Sequence, residues 1–308
     1  MIALRGICKC SFVFFFLFPW TSLAFLAVAQ TAEPQPVDLN KISALRNKAA
    51  SGDSTAEFKL AEALENGRDV PQDCAEAASW YRKAANAGNA AAQNNLGAMY
   101  ALGHGVPADP KEAFRWYLRS AAEGFAPAQN NVAYLYSTGN GVTKDDRQTL
   151  YWYEKSAAQE YPPALANLAH LYGTGLAAPA APDEGAPVTL PAPATLLVKD
   201  EQHALKLYRQ AAELGYAPAE EMLGLLYFQG RGVPKDLAEA ARWMRKAAEQ
   251  GFPLAENHLG FLYEHGYGVP LDLKEAARWY HAAADQGVEE AVRNLQSLSA
   301  TAESQKRN

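Results

Sequence analysis

Six aspartates, Asp73, Asp109, Asp145, Asp200, Asp236 and Asp272, are each followed three residues later by Glu76, Glu112, Gln148, His203, Glu239 or Glu275. Paired carboxylates are the residue type that general acid–base catalysis uses, one group giving a proton while the other takes one. These pairs recur, however, and each Asp stands seven residues ahead of a Trp or Leu in an apolar-periodic run. Asp-x-x-Glu at that place is a capping-box-like helix start, which satisfies orphan amides and complements the helix dipole. Capping therefore accounts for the twelve residues, at about 1 kcal/mol per cap. The six histidines, His104, His170, His203, His258, His265 and His281, fall at unlike places in the pattern. His258 and His265 share a helical face beside Glu264, but a metal centre needs three or four converging ligands. No metal site and no cofactor are expected. Ser-x-x-Lys, Gly-x-Ser-x-Gly, His-Glu-x-x-His and Gly-x4-Gly-Lys are all absent from the sequence, so it reads as a non-enzyme.

The elements that would position these residues repeat with a step of 36. Trp80, Trp116 and Trp152 are 36 apart, as are Leu207, Trp243 and Trp279, and the gap of 55 from Trp152 to Leu207 is 36 plus an insert of 19. A period in this range means a solenoid of small helical units. In the second copy Ala92, Leu96, Met99 and Tyr100 form one stripe of a helix A, with Gly97 as a flat spot for a neighbour. Gly103 and Gly105 end that helix, and helix B runs from Asp109 to Gly124. Helix B carries the pairs Trp80-Tyr81, Trp116-Tyr117, Trp152-Tyr153, Leu207-Tyr208, Trp243-Met244 and Trp279-Tyr280, read as core. Gly88, Gly124, Gly215, Gly251 and Gly287 end it, while Glu160 takes that place in the third copy, whose turn is expected to differ. The fold expected is all-α, about six 36-residue helix-turn-helix repeats.

The flanks read differently. Arg5 and Lys9 precede an apolar stretch that ends in Ala27-Val28-Ala29, the pattern of a secretory signal peptide over 1–29. Export to a periplasm or medium is expected, with no stable membrane span after cleavage; an uncleaved anchor is the alternative reading. Residues 30–55 read as a linker and capping helix, 56–288 as the solenoid and 289–308 as a C-terminal capping helix and tail. Within the solenoid, 176–199 is a Pro/Ala-rich loop insert in which Pro179, Pro182, Pro187, Pro191 and Pro193 oppose a helix. Without 1–29 the net charge moves from −6 to −8, which disfavours a nucleic-acid partner. Cys74 would then be the lone cysteine, with no intramolecular partner.

The motif Ala-x3-Leu-Gly-x2-Tyr-x2-Gly-x-Gly-Val-x2-Asp-x3-Ala-x2-Trp-Tyr-x2-Ala-Ala-x2-Gly resembles the Sel1-like repeat, a relative of the tetratricopeptide repeat. Copies two, five and six fit it nearly fully; copy one has Leu64 for the Tyr and Arg68-Asp69 in the glycine loop. The resemblance implies a right-handed α/α superhelix that binds proteins or peptides, and similar exported bacterial proteins act as envelope adaptors in signalling, assembly or polysaccharide export.

Counting helix A from its first Ala, positions 3, 7 and 10 lie opposite the apolar stripe, and in tetratricopeptide relatives that face lines the concave groove. Position 3 holds Asn94, Asn130, Ala166, Glu221 and Asn257; position 7 holds Ala98, Tyr134, His170, Leu225 and Phe261; position 10 includes Gly173 and Phe228. Amides can pair with a peptide backbone, and aromatic or aliphatic side chains can anchor beside them. Asn94, Asn130, Tyr134, His170, Glu221, Leu225, Phe228, Asn257 and Phe261 are thus the candidate groove residues for a protein or peptide partner. The expected function is a protein-binding scaffold or adaptor of the cell envelope. The alternatives are an envelope enzyme such as a cell-wall hydrolase, and a structural scaffold of a secretion or export complex.

Overall fold

The computed structural model describes residues 39–176 and 197–307. The signal segment 1–29 and most of the 176–199 insert lie outside the described residues. The described residues are all helical, with no strand among them. They form two compact units, one over 39–159 and one over 160–176 and 197–307. The first holds α1 (Leu39–Ala50), α2 (Ser54–Asn66), α3 (Cys74–Asn86), α4 (Ala90–Leu102), α5 (Pro110–Ala122), α6 (Ala126–Thr138) and α7 (Asp146–Ala157). The second holds α8 (Pro162–Thr174), α9 (Glu201–Glu213), α10 (Ala217–Gln229), α11 (Leu237–Glu249), α12 (Pro253–His265), α13 (Leu273–Asp285) and α14 (Glu289–Arg307). Within each unit consecutive helices pack as antiparallel hairpins, the even-numbered α2 to α12 being A helices and the odd-numbered α3 to α13 being B helices. This is an α/α solenoid of six helix pairs.

The six aspartates are caps. The side chain of Asp73 accepts from the Glu76 amide at 2.8 Å, Asp109 from Glu112, Asp145 from Gln148, Asp200 from His203, Asp236 from Glu239 and Asp272 from Glu275. Only half of the capping box forms. Each Asp amide donates instead to a carbonyl of the preceding A helix, as Asp109 does to Tyr100 and Asp272 to Tyr263. The glutamates are released for other work. Glu76 accepts from Arg46 and from the Trp80 indole, and Glu112, Glu239 and Glu275 pair with Arg115, Arg242 and Arg278 on their own helices.

The core is built from the tyrosine of each aromatic pair more than from the tryptophan. Tyr81, Tyr153 and Tyr280 are fully buried, whereas Trp80, Trp152 and Trp279 are only partly so. Cations lie over the indoles, with Lys83 Nζ 3.7 Å from the Trp80 ring and Lys246 Nζ 4.2 Å from the Trp243 ring. Trp80, Trp152 and Trp279 thus cover the rim of the core, whereas Trp116 and Trp243 are buried in it, with Arg119 and Lys246 over their rings. Gly97 and Gly260 are the flat spots expected of helix A: a Cβ on either would meet the ring of Tyr117 or Tyr280 at 2.9 or 2.7 Å.

Two substitutions for glycine keep the glycine conformation. Asp69, in the loop after α2, has φ 59°, and Glu160 has φ 56°. The turn at Glu160 does differ from its glycine counterparts: φ is 56° at Glu160 against 78–87° at Gly88, Gly124, Gly215, Gly251 and Gly287, and α7 stops at Ala157, one residue short of the other B helices, with a Cβ held in the left-handed region. Cys74 opens α3 and is disulfide-bonded in the full-length chain, whose residues 1–29 hold the other two cysteines. Where the 176–199 insert leaves the repeat, its ends meet: the Leu176 amide donates to the Leu197 carbonyl at 3.1 Å, and the Asp200 amide to the Tyr172 carbonyl at 2.8 Å. These two bonds close the hairpin of α8 and α9. No helix among the described residues is long and apolar enough to cross a membrane.

Candidate protein-binding surface

The structure divides the sequence-predicted groove residues into three groups. The amides and the acid at position 3 make bonds between neighbouring A helices. Asn131 Nδ2 donates to Asn94 Oδ1 at 3.0 Å, and Asn294 Nδ2 donates to Asn257 Oδ1 at 3.0 Å. At the equivalent place between α10 and α12, His258 Nδ1 lies 2.9 Å from Glu221 Oε1. The spacing is 37 each time, joining position 3 of one repeat to position 4 of the next. Glu221 and Asn257 are buried, as is Asn130. A buried carboxylate requires a partner. Burial pulls the His258 ring towards the neutral form, but its hydrogen bond to Glu221 and the charges of Glu221 and Glu290 outweigh this and raise its pKa.

A second group is partly embedded among the helices. Tyr134 packs on the α5–α6 core around Tyr117 and Val132, and burial raises its phenol pKa. His170 faces a cavity with Tyr208 and Met222, and burial lowers its pKa.

The third group is brought together. Leu225 and Phe228 of α10 and Phe261 of α12 pack on Ala241, Met244 and Leu262. The Phe228 and Phe261 rings meet edge to face at 6.2 Å. Each lies 5.9 Å from the ring of Tyr267, in the loop after α12, and His265 stacks on Tyr267 at 5.4 Å with an interplanar angle of 19°. His265 Nδ1 is 3.0 Å from the Phe261 carbonyl, which fixes the ring against its own helix. Lys235 Nζ lies 5.5 Å from the Phe228 ring. Phe228 and Phe261 are half-buried, while Tyr267 is 37% exposed and His265 is exposed. The result is a rigid, half-open aromatic patch with a basic edge. Aromatic side chains held this way bind apolar and peptide groups with little loss of conformational freedom.

Tyr267, His265 and Lys235 were not among the candidates. Tyr267 occupies the middle of Gly266-Tyr267-Gly268, the slot that holds His104, Asn140 and Arg231 in other repeats. Both flanking glycines are left-handed, with φ 69° and 70°, which projects the middle side chain outward. The outlier in that slot was the available signal. No group of three or more His, Cys, Asp or Glu able to hold a metal occurs among the described residues.

The Sel1 repeat pattern matches residues 54–89, 90–125, 126–161, 162–185, 196–216, 217–252 and 253–288. The chain belongs to the Sel1 repeat family. The segments 162–185 and 196–216 carry α8 and α9 and flank the insert, so the seven matches correspond to the six helix pairs. Among solved structures, the Sel1 repeat chain is similar to c5321, described as a protective antigen of uropathogenic Escherichia coli strains with an SLR fold, at 30% identity and a TM-score of 0.64. That match covers 82% of this chain and 50% of the other, so the chain spans half the length of that relative. A Sel1 repeat protein from Oxalobacter formigenes is 29% identical with a TM-score of 0.61, over 78% of this chain and 86% of the other. An immunity protein, PA5088 from Pseudomonas aeruginosa, shares the fold at 21% identity and a TM-score of 0.52, over 76% and 81% of the two chains. No curated protein matches the chain. Sel1 repeats mediate protein–protein interaction and are typically non-enzymatic scaffolds.

Proposed function

We propose that this Sel1 repeat protein is an exported scaffold that holds a partner protein on the aromatic patch of α10, α12 and the Tyr267 loop. The observation that carries the reading is the junction of Phe228, Phe261, His265 and Tyr267. The repeat pattern requires none of these four residue types at their positions, yet they converge on one exposed site. A partner segment with an aromatic or aliphatic residue and an acidic neighbour fits the patch and the Lys235 edge. Export rests on the signal-like residues 1–29, and cell fractionation tests it: protein found only in the cytoplasm removes the envelope from this reading.

The binding test replaces Tyr267 with a photo-crosslinking phenylalanine analogue in cells. An adduct expected at this position should disappear in Phe228→Ala while the melting curve keeps a single main transition. An adduct of equal yield in Phe228→Ala, or the same adduct from a crosslinker placed at exposed Lys48 of the other unit, argues against the patch.

A further inference from the structure

A second recognition feature lies between α8, α9 and α10. In the first and last repeats the core tyrosine of helix B donates its hydroxyl to a glutamate at position 10 of helix A: Tyr81 to Glu65 Oε2 at 2.6 Å and Tyr280 to Glu264 Oε2 at 2.7 Å. In the fourth repeat the tyrosine is Tyr208 and position 10 is Gly173. The carboxylate is missing and a cavity of about 160 Å³ stands beside Gly173, Tyr208 and His170. That volume is close to the roughly 150 Å³ of an apolar cavity known to hold benzene. Tyr208 is 7% exposed and its hydroxyl makes no hydrogen bond to another described residue. Met222 and Leu226 supply an apolar wall, and the Arg231 guanidinium borders the cavity. Arg231, 54% exposed, lies 3.8 Å from Glu201, which Lys199 already engages at 2.6 Å. Two cations thus face one carboxylate at the rim. The other nearby acid, Glu221, is paired with His258.

We propose that this cavity binds a short aliphatic carboxylate, supplying from outside the group that Glu65 and Glu264 supply from within their own repeats. The methylene groups lie against Met222 and Leu226, one oxygen accepts from the Tyr208 hydroxyl, and Arg231 balances the charge. The carboxylate is that of a glutamate side chain in a partner polypeptide or of a free small acid. The first source rests on the scaffold reading above, and the second stands without it.

The test titrates the full chain with sodium butyrate, with butyramide as the uncharged isostere and with acetyl-Ala-Glu-Ala-amide, followed by NMR. Saturable butyrate binding at least tenfold tighter than butyramide is expected. Gly173→Glu should abolish it without lowering the melting temperature, because a Cβ at Gly173 meets only the Ala204 Cβ at 3.7 Å. Tyr208→Phe should weaken it about tenfold, the loss of one hydrogen bond to a charged group. Binding of the tripeptide assigns the site to a partner's glutamate; binding of butyrate alone assigns it to a free acid. Equal binding of butyramide, no binding of either carboxylate, or undiminished binding in both variants overturns the proposal. Retention of the Tyr267 crosslink in Gly173→Glu separates failure of this site from failure of the aromatic patch.

Discussion

Glu220 and Glu256 stand where two other repeats place glutamine, and the difference predicts a gain in stability. Gln93 Nε2 donates to the Ala85 carbonyl at 3.1 Å, and Gln129 Nε2 to the Ala121 carbonyl at 3.3 Å. In both cases the amide closes a carbonyl at the end of the preceding B helix, the negative pole of that helix. Glu220 and Glu256 are 3% and 5% exposed at the same position. Their carboxylates accept from Gln250 at 2.5 Å and from Gln286 at 2.8 Å, but they have nothing to donate to the helix end. Burial raises the pKa of both. Lys246 and the Gln250 amide pull Glu220 back, and at Glu256 the Gln286 amide opposes burial while Asp285 adds to it. Glutamine keeps the acceptor for Gln250 or Gln286, adds the missing donor and removes the buried charge. One added hydrogen bond contributes about 0.5–1.5 kcal/mol. Glu220→Gln and Glu256→Gln should each stabilise by about 1 kcal/mol at pH 7, with Glu256 gaining more because no cation offsets its charge.

The pH dependence gives the decisive control. A carboxylate whose folded pKa is raised contributes stability that is fully present below its unfolded value of about 4.3 and is lost as pH rises through the folded value. The wild type should therefore gain on the glutamine variants as pH falls from 7 towards 4.5. Urea denaturation of the full chain at pH 7 and pH 5 measures this. A variant advantage that is the same at both pH values, or no advantage at pH 7, would refute the claim that these buried charges cost stability.

Three further outcomes follow from the structure. The His258 pKa is raised, so the Glu221–His258 pair contributes stability below about pH 6.5 that fades as pH rises through the folded pKa; His258→Gln should lose that dependence, and a ring titrating below 6.5 by NMR would contradict it. Gly268→Ala and Gly232→Ala share a left-handed φ near 70°, but the new Cβ would lie 1.9 Å from the Leu237 carbonyl oxygen in one and 3.4 Å from that of Glu201 in the other. Gly268→Ala should cost about 2 kcal/mol or more beyond Gly232→Ala, and equal melting shifts would show that the loop yields freely. Glu160→Gly should stabilise by about 0.5–1 kcal/mol by relieving the φ of 56°, with an unchanged or lower melting temperature as the contrary result.

The repeat frame was legible because its residues answer to local physics. An Asp cap, a left-handed glycine and an apolar stripe each act within one helix or one turn, and a period of 36 multiplies the signal. Contacts between repeats were less legible. Position 3 read as a row of open amides because its partners, Asn131, His258 and Asn294, lie 37 residues on, one step out of the period. Likewise the Trp and Tyr of helix B look alike in sequence, yet Tyr81, Tyr153 and Tyr280 are fully buried while Trp80, Trp152 and Trp279 are only partly so. Phe228 and Phe261 were legible because the helical period puts positions 7 and 10 opposite the apolar stripe; Tyr267 was missed because its position lies in a loop that the helical period does not describe.

The 37-residue bonds also explain how a chain of nearly interchangeable units keeps a fixed order. A solenoid gains stability from each unit and from each neighbour interface, and if all interfaces were alike a unit could be removed or slipped without penalty. Here the α4–α6 interface is closed by Asn with Asn and the α10–α12 interface by Glu with His, while α12 meets the terminal α14 again through Asn with Asn. Exchanging the second repeat with the fifth would set a buried Glu221 against Asn and leave His258 facing an amide, and a buried carboxylate without its cation is strongly penalised. Polar pairs that add little stability as units therefore assign each repeat its neighbour. The Glu221–His258 pair lies on the same A helices, α10 and α12, that carry Phe228 and Phe261 of the aromatic patch.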